Sequence, residues 1–187
     1  IDLETLAAVT SGRSDPAVSL LLECAMEMNG VDEAAGAAAA GATLETEAPA
    51  RMEANALEQA FAAIDGAGPK RVSNAPADAE IDLIRIPLSL RRRIEEAEER
   101  GAWKSRAGLQ TLDLALGGDC KAEIMRIPPG AGVPRHTHHG QELTLCLSGG
   151  FSDGIGSYGP GDVSITDPSI THRPIADPDE PCYVLAV

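Results

Sequence analysis

Aromatic side chains are scarce in this chain: one Trp, two Tyr and two Phe among 187 residues, or 3%. So few rings argue against a stacking platform for single-stranded nucleic acid. Positive charge is also short. Fifteen Lys and Arg stand against 29 Asp and Glu, for a net charge of -14. A phosphate backbone would be repelled, and a basic protein partner would be steered in. No apolar run approaches the roughly 20 residues that cross a bilayer. No charged-then-apolar leader is legible, although the chain opens at Ile1 and further N-terminal residues are expected. The four cysteines (Cys24, Cys120, Cys146 and Cys182) form neither a CxxC pair nor a dense framework. Reduced thiols and a cytoplasmic location are therefore expected. Histidine is absent before His136.

What is present divides unevenly. Residues 1–70 carry 12 acidic and 3 basic side chains, whereas residues 71–187 carry 17 and 12. The first stretch is rich in the helix formers Ala, Glu, Leu and Met. Its periodicity predicts helices over 3–10, 17–28, 32–42 and 49–64. Asp15-Pro16 supplies a helix start, and Leu20, Leu21, Cys24 and Met28 recur at helical spacing. Residues 65–80 have no apolar period and read as a linker. A charged helix is expected at 88–99, where Arg91, Arg92 and Arg93 pair locally with the glutamates that follow.

From Trp103 onward the period becomes two. Strands are expected at 109–116, 120–127, 142–148, 162–166, 171–175 and 181–186, separated by Gly- and Pro-rich turns. Short strands spaced this way predict a β-sandwich or barrel. Trp103 reads as a core residue. Strand 142–148 would put Glu142, Thr144 and Cys146 on one face and Leu143, Leu145 and Leu147 on the other. The leucine face needs a cover, from another sheet edge, the N-terminal helices or a second subunit in a homodimer.

The segment from Gly130 to Gly149 carries the chemistry. His136 and His138 are two apart on extended chain and face the same way, Glu142 follows, and His172 comes thirty residues after Glu142. Three imidazoles and a carboxylate suit one divalent ion: Zn first, with Fe, Mn, Ni or Co also compatible. His139 points away by alternation. Cys146 and Cys182 read first as small core residues and second as thiols near a metal, open to oxidation. Asp153 and Tyr158 are the polar candidates for acid-base work.

The pattern G-x5-H-x-H-x3-E-x6-G, at Gly130, His136, His138, Glu142 and Gly149, resembles the first motif of the cupins. Tyr158 to Asp162 resembles the turn of their second motif, and His172 stands at its histidine. Ala176 occupies the place of the usual Asn. The wording HTHHGQELTLCLSGGFSD and GDVSITDPSITHRPIAD is similar to the C-terminal domain of ChrR-type anti-sigma factors. That resemblance implies an α+β multidomain chain: a small N-terminal all-α helical domain, then a C-terminal cupin β-barrel (double-stranded β-helix). The boundaries would be 1–66 for the acidic helical domain, 67–87 for a linker and 88–187 for the cupin. It implies His136, His138, Glu142 and His172 as metal ligands. It also implies an extracytoplasmic-function sigma factor as partner and a response to singlet oxygen or organic hydroperoxide. No direct DNA contact, membrane contact or catalytic residue is expected. The alternative is a metal-dependent cupin enzyme, such as a dioxygenase or an isomerase.

The helical domain departs from its family. Zinc-bearing relatives carry His-x3-Cys-x2-Cys there with an upstream histidine. Here those three positions hold Ala25, Asn29 and Asp32, or in another register Leu20, Cys24 and Glu27. Neither set binds zinc, and Cys24 reads as a buried core thiol. Metal analysis of the purified chain should therefore give one equivalent. Two equivalents would place a second site among residues that offer no ligand set.

Overall fold

A computed structural model describes residues 14–31, 86–101 and 103–187. The expected helices at 3–10, 32–42 and 49–64 and the linker at 65–80 lie outside the described residues. Two helices are described, α1 (Pro16–Met28) and α2 (Leu88–Arg100). They are followed by strands β1 (Lys104–Arg106), β2 (Leu109–Asp113), β3 (Glu123–Ile127), β4 (Glu142–Ser148), β5 (Phe151–Ser152), β6 (Ser157–Tyr158), β7 (Val163–Thr166), β8 (Ile175–Ala176) and β9 (Cys182–Ala186). Six strands form one antiparallel sheet in the order β1-β2-β3-β9-β4-β7, and three form a second, β6-β5-β8.

The alternation expected along β4 sorts two cores. Cys146 lies with Ile127, Phe151, Ala176, Cys182 and Val184 in one apolar cluster. Leu145 and Leu147 belong to the other, with Leu143 packed against it. That second cluster continues into Leu20, Leu21, Leu22, Cys24 and Ala25 of α1 and Leu90, Ile94 and Ala97 of α2. The two helices therefore cover the leucine face, and a second subunit is not needed for it. Each buried leucine contributes about 2 kcal/mol.

Helix α1 is fixed to the sheet domain at both ends. Asp15 caps it: Oδ1 accepts from Ala17 N at 2.9 Å. Its other oxygen, Oδ2, accepts from Asp119 N at 2.8 Å and Cys120 N at 3.1 Å, across more than a hundred residues. At the far end Asn29 Nδ2 donates to Gly161 O at 2.9 Å and to Ala25 O at 2.8 Å. Leu20 and Cys24 are core residues, and Cys24 Sγ meets Ser89 Oγ at 3.8 Å. Burial pushes the Cys24 thiol up to about 12. Glu27 Oε1 accepts from Leu88 N at 3.4 Å. The positions that carry zinc ligands in relatives thus carry packing and capping groups here, so far as they are described.

Helix α2 behaves as its charge pattern predicts. Arg93 and Glu96 pair at 3.2 Å on its surface, and Arg91 Nε donates to Ile86 O at 2.8 Å. Trp103 packs against the helix-facing core, with Nε1 donating to Glu98 Oε1 at 2.8 Å. Strand β2 stops at Asp113 rather than 116. Ala115 takes a left-handed φ of 46°, and its N–H bonds to Asp113 Oδ1 at 2.8 Å, a turn that competes with the ladder. The expected strand 171–175 is also displaced. His172 sits in an isolated bridge, and the strand itself is Ile175–Ala176, because Pro174 between them has no N–H to give a ladder.

Two measurements check this arrangement. The Ala17, Cys120 and Asp119 N–H groups hold the Asp15 carboxyl below its ordinary value, with burial opposing. A depressed folded-state value stabilises above the unfolded value near pH 4, and the effect fades as pH falls through the folded value. Asp15→Ala should therefore melt below wild type at pH 7, with the gap shrinking near pH 3. An equal gap at both values would remove the ionised clamp. Three of the four thiols are buried and only Cys120 is exposed. A thiol reagent should modify one cysteine in the folded chain and four in denaturant. The reaction at Cys120 should be slow, since burial with Asp15 and Asp119 raises that thiol. Fast labelling of Cys146 or Cys182 in the folded chain would contradict the core.

Candidate metal centre

The segment before β4 runs antiparallel to β8 and the residues before it, joined by bridges at Gly132–Ile175 and His136–His172. His136 N bonds to His172 O at 3.1 Å, and His172 N to His136 O at 3.0 Å. This exchange holds two imidazoles from distant parts of the chain on one face. His138, two residues on, adds a third. The ring centroids lie 4.6 to 5.0 Å apart. Glu142 opens β4 beside them. One ligand atom from each of His136, His138, Glu142 and His172 falls within 4.8 Å of every other. All four residues singled out in the sequence are brought together, and His139 is exposed as alternation predicts.

The hydrogen bonds set the tautomers. Pro134 O can only accept, so His136 Nδ1 donates to it at 2.8 Å and Nε2 keeps its lone pair. Asp153 Oδ2 does the same for His172 Nδ1 at 3.4 Å. His138 Nδ1 faces Glu142 Oε2 at 3.2 Å. Each ring thus turns its Nε2 inward. His138 Nε2 lies 2.9 Å from His172 Nε2, which lies 3.3 Å from His136 Nε2. Burial, with the neighbouring imidazoles, lowers the His138 ring's basicity and outweighs Glu142. A neutral imidazole is the form that ligates. The cluster can coordinate a divalent metal ion.

Asp153, one of two polar residues within reach of the ligands by sequence, has a supporting task. Its side chain is 0% exposed. It accepts from Ile155 N at 2.9 Å and Gly156 N at 3.0 Å, and Ser164 Oγ reaches its second oxygen at 3.4 Å. Burial raises this carboxyl, but the two backbone donors and His172 hold it below its ordinary range. It is a fixed anion that orients His172. Pro134 has the same role for His136, and sequence reasoning missed it because a carbonyl leaves no trace in residue type. Tyr158 stacks on Phe151 at 4.8 Å between centroids.

The cysteines near the cluster are thiols of the core. Cys146 Sγ points to Gly149 O at 3.7 Å and Ser148 O at 3.9 Å. A hydrogen bond to Cys146, then burial, pushes the Cys182 thiol far above its ordinary value. Protonated thiols of this kind are weak nucleophiles. The space inside the sheets beside His136 and Glu142 is about 40 Å³, lined largely by apolar side chains such as Ile127, Phe151 and Val184. That admits a molecule the size of water or a peroxide, whereas sites for organic ligands span about 300–1,000 Å³.

Known proteins share the fold and much of the sequence. Residues 123–187 match the Cupin domain family. The anti-sigma-E factor ChrR of Cereibacter sphaeroides is 33% identical over 170 residues, covering 90% of this chain and 75% of that protein. The crystal structure of Rhodobacter sphaeroides SigE in complex with the anti-sigma ChrR has a chain of the same fold. It aligns with a TM-score of 0.74 and 27% identity, over 100% of this chain and 96% of that one. With likeness of that extent, this chain belongs to the ChrR family of anti-sigma factors.

Proposed function

We propose that this chain binds an extracytoplasmic-function sigma factor through its N-terminal helical region and releases it when the cupin domain meets an oxidant. The observation that carries the reading is the 33% identity to ChrR across 90% of the chain, whose structural counterpart is bound to SigE. The acidic balance of residues 1–70 suits a basic partner surface. The signal would be singlet oxygen or an organic hydroperoxide, the class that the family resemblance implies. In this reading the chain divides at 1–66, 67–87 and 88–187, with α1 docked on the cupin part through the shared core. The two sheets would close as the cupin barrel, and the protein would work in the cytoplasm.

His136, His138 and His172 would hold the metal through Nε2, with Glu142 as fourth ligand, and zinc is the ion we favour. Zinc supplies a fixed positive charge and no redox chemistry of its own. Strand β4 would link the site to the helices. Glu142 starts it on the metal side, and Leu143, Leu145 and Leu147 contact the core that α1 completes. A change in metal ligation would reach α1 through this one strand.

The rival reading as a cupin enzyme is disfavoured by space and by chemistry. The interior space beside His136 and Glu142, about 40 Å³, is too small for an organic substrate. The buried carboxyl nearest the cluster is committed to Ile155, Gly156 and His172.

Co-expression with a sigma factor of this class from the same genome tests the proposal. The full chain should co-purify with it and suppress its transcription in vitro. His172→Ala should lower zinc content at least about tenfold, keep the complex, and block its release by hydroperoxide. Absence of any complex would overturn the anti-sigma reading. Full metal content in the variant would overturn the ligand set.

A further inference from the structure

A second, larger cavity lies on the other side of His172. Its volume is about 480 Å³, and Arg135, Asp153, Ile155, Thr171, His172 and Arg173 are among the residues that line it. It shares no lining residue with the interior space beside His136 and Glu142. Its two arginines flank the bridged pair: Arg135 precedes His136, and Arg173 follows His172.

Two arginines line one pocket in a chain whose net charge is -14. Among the described residues, neither Arg135 nor Arg173 has a hydrogen bond or an ion pair. The one carboxylate in the wall does not neutralise them. Asp153 is fully enclosed, and its oxygens are occupied by Ile155 N, Gly156 N, Ser164 Oγ and His172 Nδ1. The rim adds an apolar element in Ile155, a large hydrophobic side chain that is 59% exposed. A volume of this size is that of a small-molecule site.

We propose that this pocket binds an amphipathic organic monoanion: a carboxylate held by Arg135 and Arg173, with a short apolar tail against Ile155. Guanidinium groups match a carboxylate through charge-assisted hydrogen bonds, and an anion would neutralise the positive charge of this wall. The inference goes beyond sigma binding and needs neither a bound metal nor a partner. Because His172 forms one wall, the occupant would sit against the Asp153–His172 pair without entering the interior.

Titration calorimetry of the full chain with sodium octanoate tests it. One octanoate per chain should bind. Octanol and octylammonium, which keep the tail and lose the anion, should bind at least about tenfold more weakly. Inorganic phosphate, which keeps the charge and loses the tail, should also bind more weakly. The double variant Arg135→Ala/Arg173→Ala should lose at least about tenfold in octanoate affinity while its melting temperature stays at or above that of wild type, since both side chains are exposed. Undetectable octanoate binding, equal binding of octanol or phosphate, or an unaffected double variant would each overturn the proposal.

Discussion

Three imidazole nitrogens with their lone pairs turned toward one point cannot satisfy one another. Nε2 of His172 stands 2.9 Å from that of His138 and 3.3 Å from that of His136. One added proton could bridge one of these pairs and would leave the third nitrogen without a donor. Burial opposes that proton at His138. One divalent cation could answer all three together, and the groups around the cluster hold the rings in that arrangement. The Pro134 carbonyl and the Asp153 carboxylate hold the outer N–H of two rings. The two-bond bridge between His136 and His172 fixes the backbone beneath them. The turn at residues 153–156 exists to present Asp153, since its carboxylate is bonded to the N–H groups of that same turn. The geometry of the candidate ligands is thus held by partners on the outer side of each ring.

Strand β4 gives this site a neighbour. A strand has two faces and no interior of its own, so whatever shifts one face shifts the other. On the cluster side β4 carries Glu142 and Cys146. On the helix side it carries leucines that share a core with α1 and α2. A shared core is the interface that small displacements cross, because close-packed side chains do not yield independently.

Much of this was legible in the residues themselves. The HxH pair, Glu142 and His172 are chemically rare choices, and their spacing leaves few alternatives. The two-residue period of 142–148 fixed which side chains face which core. Other parts were illegible for physical reasons. Asp15 reaches Asp119 and Cys120 through backbone N–H groups, and any residue offers those. Strands β1, β5 and β6 have only two or three residues, too few for a period to register. Asp153 looked like a candidate acid because a carboxylate near histidines suggests one. Only its enclosure and its backbone donors reveal an anion that stays ionised and in place.

The absence of helical zinc ligands then follows a packing logic. Leu20, Leu21 and Leu22 are consecutive and all buried. Successive helical residues are about 100° apart, so three of them cover roughly 200° of the circumference. A helix on the surface of a small separate domain has no use for so wide an apolar arc. Helix α1 has one because the β sheet and α2 flank it together, and its ends are tied to Asp119, Cys120 and Gly161. A metal that stitches a helix into a small bundle substitutes for a core too small to be stable by itself. Where the helix completes the core of the neighbouring sheet, burial does that work, and Leu20, Cys24 and Ala25 serve as packing residues. The same exchange removes α1 as a freely detachable element, because pulling it away exposes three leucines of its own and uncovers those of β4.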